Sequence, residues 1–190
     1  MGFAISWLAV RGKDPATIVA ALGLTATGTK AEYAEDMYTG RLLPTNWFLL
    51  VINQCDHKFV TPKILSTLSG SSEVLACSVE EHVMVSTAEL WRDGAQIWRI
   101  EHNAQDSIDH LQASGALPQN FEGISSALTE QQVKAGGSEA DVDYYFDIPL
   151  QTAKSIVGFK HDEASGLEDS SFDVFHLSSN APKAWWKLWK

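Results

Sequence analysis

The dipeptide Asp93-Gly94, which lies between two apolar runs, is the feature that most constrains the fold of this chain. Both residue types accept the positive φ angles of a two-residue type I′ turn, so the dipeptide indicates a β-hairpin. The runs on either side, residues 83–91 and 95–102, supply the two strands. The sequence therefore predicts an antiparallel strand pair at this point.

The turn also predicts the register of this hairpin, because the length of a hairpin loop fixes which residues pair. Trp91 then pairs with Gln96, and His102 lies opposite Val85. The residues expected to share the core-facing side of the hairpin are Val85, Thr87, Trp91, Trp98 and Ile100.

Three segments have the pattern of a short helix: a polar residue, a proline in the first turn and a glycine at the end. They are residues 14–23, 61–70 and 147–158. The polar residues expected to cap them are Asp14, Thr61 and Asp147. A fourth helix is predicted from residue 118 to about residue 135, because apolar residues recur there with a helical period.

Further strands are predicted at residues 3–10, 47–52 and 74–79, which are short apolar runs. The stretches 25–45, 105–115 and 161–182 are polar, and we expect them to be irregular. Within the last stretch, a short strand or docked segment is expected at Phe172, Val174 and Phe175.

The order of these elements, with helices both among and after consecutive strands, predicts an α+β fold. We expect a largely antiparallel sheet of about five to six strands, helices packed mainly on one face, and an amphipathic C-terminal tail. An α/β fold remains the alternative, because the chain begins in the order β-α-β-α. Residues 1–182 are expected to form a single α+β domain, with residues 183–190 docked on it as the tail.

The tail has the sequence Lys-Ala-Trp-Trp-Lys-Leu-Trp-Lys. Wound as a helix, it places Trp185, Trp186 and Trp189 on one side and its lysines on the other. An apolar patch of this kind has to be covered. We expect the chain's own acidic body to cover it, and a protein partner or a membrane interface are the alternatives.

The charge of the chain disfavours nucleic acid as a partner, since 24 acidic residues against 14 basic residues give a net charge of −10. Acidic residues are dense in the segment 139–173, which would attract a basic protein. The candidate residues for binding such a partner are Asp141, Asp143, Asp162, Glu163, Trp185, Trp186 and Trp189.

A second hypothesis is a small metal-dependent hydrolase built on Glu80, His82 and His102, which lie near the ends of adjoining predicted strands. Histidine and carboxylate side chains bind metal ions and exchange protons. A metal site needs three or four converging ligands, however, and charged strand ends that simply face water explain the same residues. Nucleotide-binding and serine-hydrolase motifs do not occur in the sequence, and we predict no cofactor.

The leading hypothesis is a non-enzymatic acidic binding protein, such as an immunity-type inhibitor of a basic toxin. A third hypothesis is a membrane-surface adaptor that acts through the tail. The N-terminal apolar stretch is too short to span a bilayer and no basic residues precede it, which predicts a cytoplasmic protein. Two cysteines make no disulfide framework, and Cys55, close to His57, is a weak candidate for a reactive thiol.

Overall fold

A computed structural model describes residues 2–163 and 171–178. Within these residues the chain forms nine strands and four α-helices, together with two short 3-10 helices. The strands are β1 (Ala4–Arg11), β2 (Leu24–Ala31), β3 (Tyr38–Leu42), β4 (Phe48–Ile52), β5 (Glu73–Glu80), β6 (Val85–Arg92), β7 (Ala95–Asn103), β8 (Gln112–Gly115) and β9 (Phe172–Leu177). The α-helices are α1 (Pro15–Ala21), α2 (Pro62–Leu68), α3 (Phe121–Ala135) and α4 (Asp147–Val157).

All nine strands belong to one sheet, in the order β2-β9-β3-β4-β1-β5-β6-β7-β8. Every pair of neighbouring strands in it is antiparallel. The predicted α+β class with an antiparallel sheet is therefore confirmed, and the α/β alternative with parallel strands is wrong. The sheet is wider than the five to six strands expected.

The additional strands come from stretches that we expected to be irregular. Strand β2 begins one residue before the stretch 25–45 and otherwise lies in it, β3 lies within it, and β8 lies within residues 105–115. Strand β2 is an edge strand whose residues are mostly exposed, and its pairing with β9 shifts register between Ala26 and Lys30. An exposed, polar edge strand carries no alternating apolar pattern by which to recognise it. The short strand expected around Phe172 is confirmed as β9.

Helices cover both faces of the sheet. Trp7 of β1 points to a core that also contains Ile148 of α4, whereas its neighbour Leu8 points to a second core with Ile18 of α1 and Leu65 of α2. Our expectation of helices mainly on one face is therefore wrong. The reason is visible in β4, where all five residues are buried, since a strand with apolar residues on both sides needs cover on both sides.

The helix caps follow the predicted pattern at one helix of three. Asp14 caps α1, and its side chain accepts a hydrogen bond from a backbone N–H at 3.3 Å. Thr61 precedes α2 but its side chain makes no capping hydrogen bond. Helix α4 begins at Asp147 itself, so this residue lies inside the first turn, where its carboxylate is 3.0 Å from Nζ of Lys160. The capping roles expected of Thr61 and Asp147 are thus wrong.

The Asp93-Gly94 turn forms as predicted, with φ angles of 51° and 78°, and Trp91 pairs with Gln96. The register then shifts between Trp91 and Leu90, because Leu90 pairs with Trp98 and leaves Ile97 as an extra residue. This β-bulge moves every residue beyond it by one position.

As a result, Trp91 and Trp98 lie on opposite faces of the sheet. Trp98 packs in the core beside α4 together with Leu90, whereas Trp91 belongs to the core beside α1 and α2. The predicted common face of these two tryptophans is therefore wrong. The same shift pairs His102 with Ser86 rather than with Val85.

Candidate binding cleft

A cleft of about 650 Å³ opens where the loop between β2 and β3 approaches the segment that follows α4. Its inner surface is mainly apolar and includes the buried side chains Ile5, Val51, Phe159 and Phe172. Two further aromatic side chains at its mouth, Phe3 and Tyr33, are exposed by 45% and 63%. The cleft thus offers aromatic and aliphatic surface to a molecule outside the core.

Carboxylates surround this apolar surface. Glu32 and Glu35 come from the loop between β2 and β3, and neither has a basic partner among the described residues. Asp162 and Glu163 come from the segment after α4. The rim of the cleft is therefore acidic on two sides.

Two lysines partly offset these acids. Nζ of Lys160 lies 2.8 Å from Oδ2 of Asp162, and Lys154 pairs with Glu163. Burial alone would lower the pKa of Lys160, but its bonds to Asp162 and Asp147 outweigh burial and raise the pKa. Burial would in turn raise the pKa of Asp162, yet the hydrogen bond from Lys160 lowers it. Both partners are therefore charged at neutral pH.

The balance of charge in and beneath the cleft remains negative. The carboxylates of Glu32, Glu35, Asp147, Asp162 and Glu163 outnumber the ammonium groups of Lys154 and Lys160. A cleft with this excess attracts cations and repels phosphate groups.

His161 forms part of the wall and has an unpaired ring nitrogen. The side chain is only 2% exposed, and Nε2 lies 3.0 Å from Oε1 of Glu81. Nδ1 is buried, lies 3.9 Å from Oδ1 of Asp162 and has no hydrogen-bond partner within residues 2–163 and 171–178. Most buried polar atoms in proteins are paired, so Nδ1 of His161 is an exception within this part of the structure.

The predicted partner-binding residues fall in three places. Asp162 and Glu163 lie at the cleft, as just described. Asp141 is exposed between α3 and α4, whereas the side chain of Asp143 is only 8% exposed, and neither of them lines the cleft. The candidates Trp185, Trp186 and Trp189 belong to the tail and lie outside the described residues.

The segment Glu32-Tyr33-Ala34-Glu35 is the part of the cleft that sequence reasoning missed. It lies in a stretch that we expected to be an irregular connection. The available signal was Tyr33, an aromatic residue close to two acids. It could be recognised as part of a binding site only once the fold placed it in the same cleft as Phe172.

The candidate metal ligands do not converge. Nδ1 of His82 lies 2.6 Å from Oε1 of Glu80 in an exposed local pair. His102 is fully buried, and its Nε2 lies 2.9 Å from Oδ2 of Asp143. In the part of the chain that the structure describes, no three His, Cys, Asp or Glu residues are arranged to hold a metal ion. The hypothesis of a metal-dependent hydrolase gains no support from this arrangement.

Cys55 does not form a thiol–imidazole pair with His57. Burial, followed by the negative charges of Asp56 and Glu80, raises the pKa of the Cys55 thiol to about 11. The ring of His57 is engaged elsewhere, since Nε2 lies 3.2 Å from the hydroxyl of Tyr38 and Nδ1 accepts a hydrogen bond from the chain at 3.3 Å. A protonated thiol is a poor nucleophile.

Comparisons of the chain with models of known families, with curated proteins and with solved structures return no match. Among the described residues, no helix has the length and apolar character needed to cross a membrane.

Proposed function

We propose that this chain is a non-enzymatic binding protein whose cleft takes a basic, aromatic-containing segment of a protein partner. The observation that carries this function is the apolar inner surface of the cleft, bordered by the carboxylates of Glu32 and Glu35, which have no basic partner among the described residues. A ligand that satisfies both features needs an apolar side chain to bury and a positive charge beside it.

The size of the cleft suits side chains rather than a whole domain surface. A volume of about 650 Å³ falls in the range of pockets that enclose small ligands or a few large side chains. Aromatic anchors that fill such pockets supply much of the energy of protein interfaces. Lysine or arginine next to the anchor would face the carboxylates, which increases the rate of encounter and excludes acidic partners.

The charge of the whole chain acts in the same direction. A net charge of −10 attracts a basic protein from a distance, and this attraction weakens as salt increases. An immunity-type inhibitor, which neutralises a basic toxin by covering it, uses this chemistry. We therefore retain inhibition of a basic protein as the biological role to test.

The test is a titration of the full chain with the peptide Lys-Trp-Lys-Trp-Lys at about 50 and 150 mM salt. We expect binding that weakens with salt. Peptides with alanine in place of tryptophan, or with glutamate in place of lysine, should bind far more weakly because each lacks one of the two features.

A pair of charge-matched variants locates the binding. Replacing Glu32 and Glu35 by glutamine removes two carboxylates of the cleft, and we expect a loss of roughly 5- to 30-fold in affinity, from about 0.5–1 kcal/mol for each charge pair. The control replaces Glu122 and Glu139, two exposed acids outside the cleft, by glutamine and should leave affinity almost unchanged. Equal losses in both double variants would contradict binding at the cleft.

A further inference from the structure

We infer that the tail, residues 183–190, occupies the cleft of its own chain, so that an outside partner has to displace it; this rests on the proposed function of the cleft. The chain would then carry its own competitor for the surface that binds the partner. Composition, reach and an unpaired atom in the cleft wall each support this occupant.

The composition of the tail complements the cleft. It contains three tryptophans and the lysines Lys183, Lys187 and Lys190, and it contains no acidic residue. Tryptophan matches the apolar inner surface, and lysine matches the carboxylates of the rim. The internal segment outside the described residues, 164–170, carries Glu168 and Asp169 and no aromatic residue, so it matches neither feature.

The chain is also long enough to return to the cleft. The last described residue, Ser178, is bonded through its N–H to the carbonyl of Gly23 at one end of β9, and Phe172 lines the cleft at the other end. This strand spans about 20 Å. An extended chain covers about 24 Å between Ser178 and Trp185 and about 37 Å between Ser178 and Trp189. The tryptophans can therefore reach the cleft without any rearrangement of the sheet.

His161 lines the cleft, and its Nδ1 lies 3.9 Å from Oδ1 of Asp162 without a hydrogen bond among the described residues. The nitrogen is buried in the wall of the cleft, and Nε2 of the same ring faces Glu81. With the ring proton on Nε2, Nδ1 accepts a hydrogen bond. The indole N–H of tryptophan and the ammonium group of lysine are both donors, and the tail supplies both.

Because the tail and the cleft belong to one chain, a tail that binds the cleft only weakly still competes effectively with an outside peptide. Two binding elements joined by a short stretch of the same chain can meet at effective concentrations in the millimolar range. A tail whose own dissociation constant for the cleft is about 100 µM would therefore lower the apparent affinity of an outside peptide roughly tenfold.

The first experiment compares two full-length chains in their affinity for Lys-Trp-Lys-Trp-Lys. The tail variant carries Trp185→Ala, Trp186→Ala and Trp189→Ala, and we expect it to bind the peptide roughly tenfold more tightly than the wild-type chain. The control variant, Val133→Ala with Val142→Ala, removes exposed apolar side chains elsewhere and should bind like the wild type.

The outcomes separate this inference from the proposed function. Equal binding of the peptide by the wild-type chain and the tail variant would overturn occupation by the tail and leave the proposed function standing. Absence of binding in both chains would overturn the proposed function, and with it the inference.

The second experiment is zero-length carbodiimide cross-linking of the full chain, which joins a lysine only to a carboxylate that it contacts. We expect links from Lys187 or Lys190 to Glu32 or Glu35, located by mass spectrometry, and their loss in the Glu32→Gln, Glu35→Gln variant. The wild-type chain is mixed in light and 15N-labelled forms, and links within one isotopic form support the inference.

Three results would overturn it. Links that join light to heavy chains would assign the tail to the cleft of a second copy. Absence of any link from the tail to the cleft would exclude the contact. Co-sedimentation with anionic lipid vesicles that the tail variant loses, again without these links, would assign the tail to a membrane surface.

Discussion

His102 and Asp143 form a buried pair in which Nε2 of the imidazole lies 2.9 Å from Oδ2 of the carboxylate. Nδ1 of the same ring lies 2.7 Å from the carbonyl oxygen of His110. The two ring nitrogens of His102 therefore face two oxygen atoms, one from the carbonyl of His110 and one from the side chain of Asp143. The pair fixes the segment before α4 to strand β7.

Replacing Asp143 by alanine should destabilise the protein by about 1–3 kcal/mol, because it leaves Nε2 of the buried His102 ring without a hydrogen-bond partner. The change also removes the acceptor for the backbone N–H of Phe146, 3.1 Å from Oδ1 of Asp143. Asp141→Ala, two positions away and exposed, should change stability by less than about 0.5 kcal/mol. Urea denaturation at neutral pH measures both, and equal midpoints would contradict the structural role of Asp143.

Gly40 of β3 has no room for a side chain, although it lies in a regular strand. A Cβ atom there would lie 2.7 Å from the carbonyl oxygen of Leu49 and 3.1 Å from the rings of Phe48 and Phe175. Gly40→Ala should therefore destabilise the protein by about 1–3 kcal/mol. Gly123→Ala is the opposite case, since no described atom lies within 4 Å of its Cβ position in α3, and a gain of about 0.5–1 kcal/mol is expected. Thermal denaturation of both variants tests whether Gly40→Ala lowers the stability of the protein and Gly123→Ala raises it.

Glu73 joins Arg11 and Arg92 at one end of the β5–β6 pair, with guanidinium nitrogens at 2.9 and 2.8 Å. Burial alone would raise the pKa of Glu73, but the hydrogen bonds from both arginines outweigh burial and lower it below the usual 4.5. Because the ionised carboxylate of Glu73 is favoured in the folded state, it stabilises the fold above about pH 4.5. This stabilisation is lost as the pH falls through the pKa of Glu73 in the folded state.

Glu73→Gln should therefore be less stable than the wild type by about 1–2 kcal/mol at pH 7, and the difference should shrink towards about pH 3. Glu130→Gln, which breaks only the exposed pair with Lys134, should differ little from the wild type at either pH. Urea midpoints across this range provide the measurement, and a constant difference for Glu73→Gln would refute the assignment.

Cys55 should be alkylated slowly in the folded protein. A thiol with a pKa near 11 instead of 9.0 has roughly a hundredfold smaller thiolate fraction at pH 8. Peptide mapping after timed exposure to iodoacetamide gives the rate, and unfolding in urea should restore ordinary reactivity. A rate in the folded protein close to that of glutathione would show that the thiol is neither buried nor protonated.

The sequence predicts the elements that carry a dense apolar signal. The Asp93-Gly94 turn, the capped helix α1 and the central strands β1, β4 and β5 all appear where their residues indicate. The β-bulge at Ile97 was not predictable from the local sequence, because its position depends on how the two faces of the sheet are packed. Helices cover both faces of the sheet, and Trp91 and Trp98 pack in the two different cores. The extra residue between them places their side chains on opposite faces.

The cleft was less accessible to prediction, since three separate segments build it. The charge of the acids at residues 162–163 is what marks them as candidate binding residues in the sequence, and their role in binding remains a prediction. Glu32 and Tyr33 lie in a polar stretch whose strands could not be recognised, and Phe172 reaches them only because β9 inserts between β2 and β3. Long-range pairing of this kind leaves no local pattern.

The insertion of β9 also has a consequence for biosynthesis. Strand β2 pairs only with β9, which is synthesised about 140 residues later. At usual rates of synthesis, β2 therefore remains unpaired for roughly 7–30 s. An apolar strand left open for that time would pair with other chains. The Thr-Ala-Thr-Gly-Thr-Lys sequence of β2 is a poor template for such pairing. The polarity that hides this strand from sequence analysis thus protects the nascent protein from aggregation.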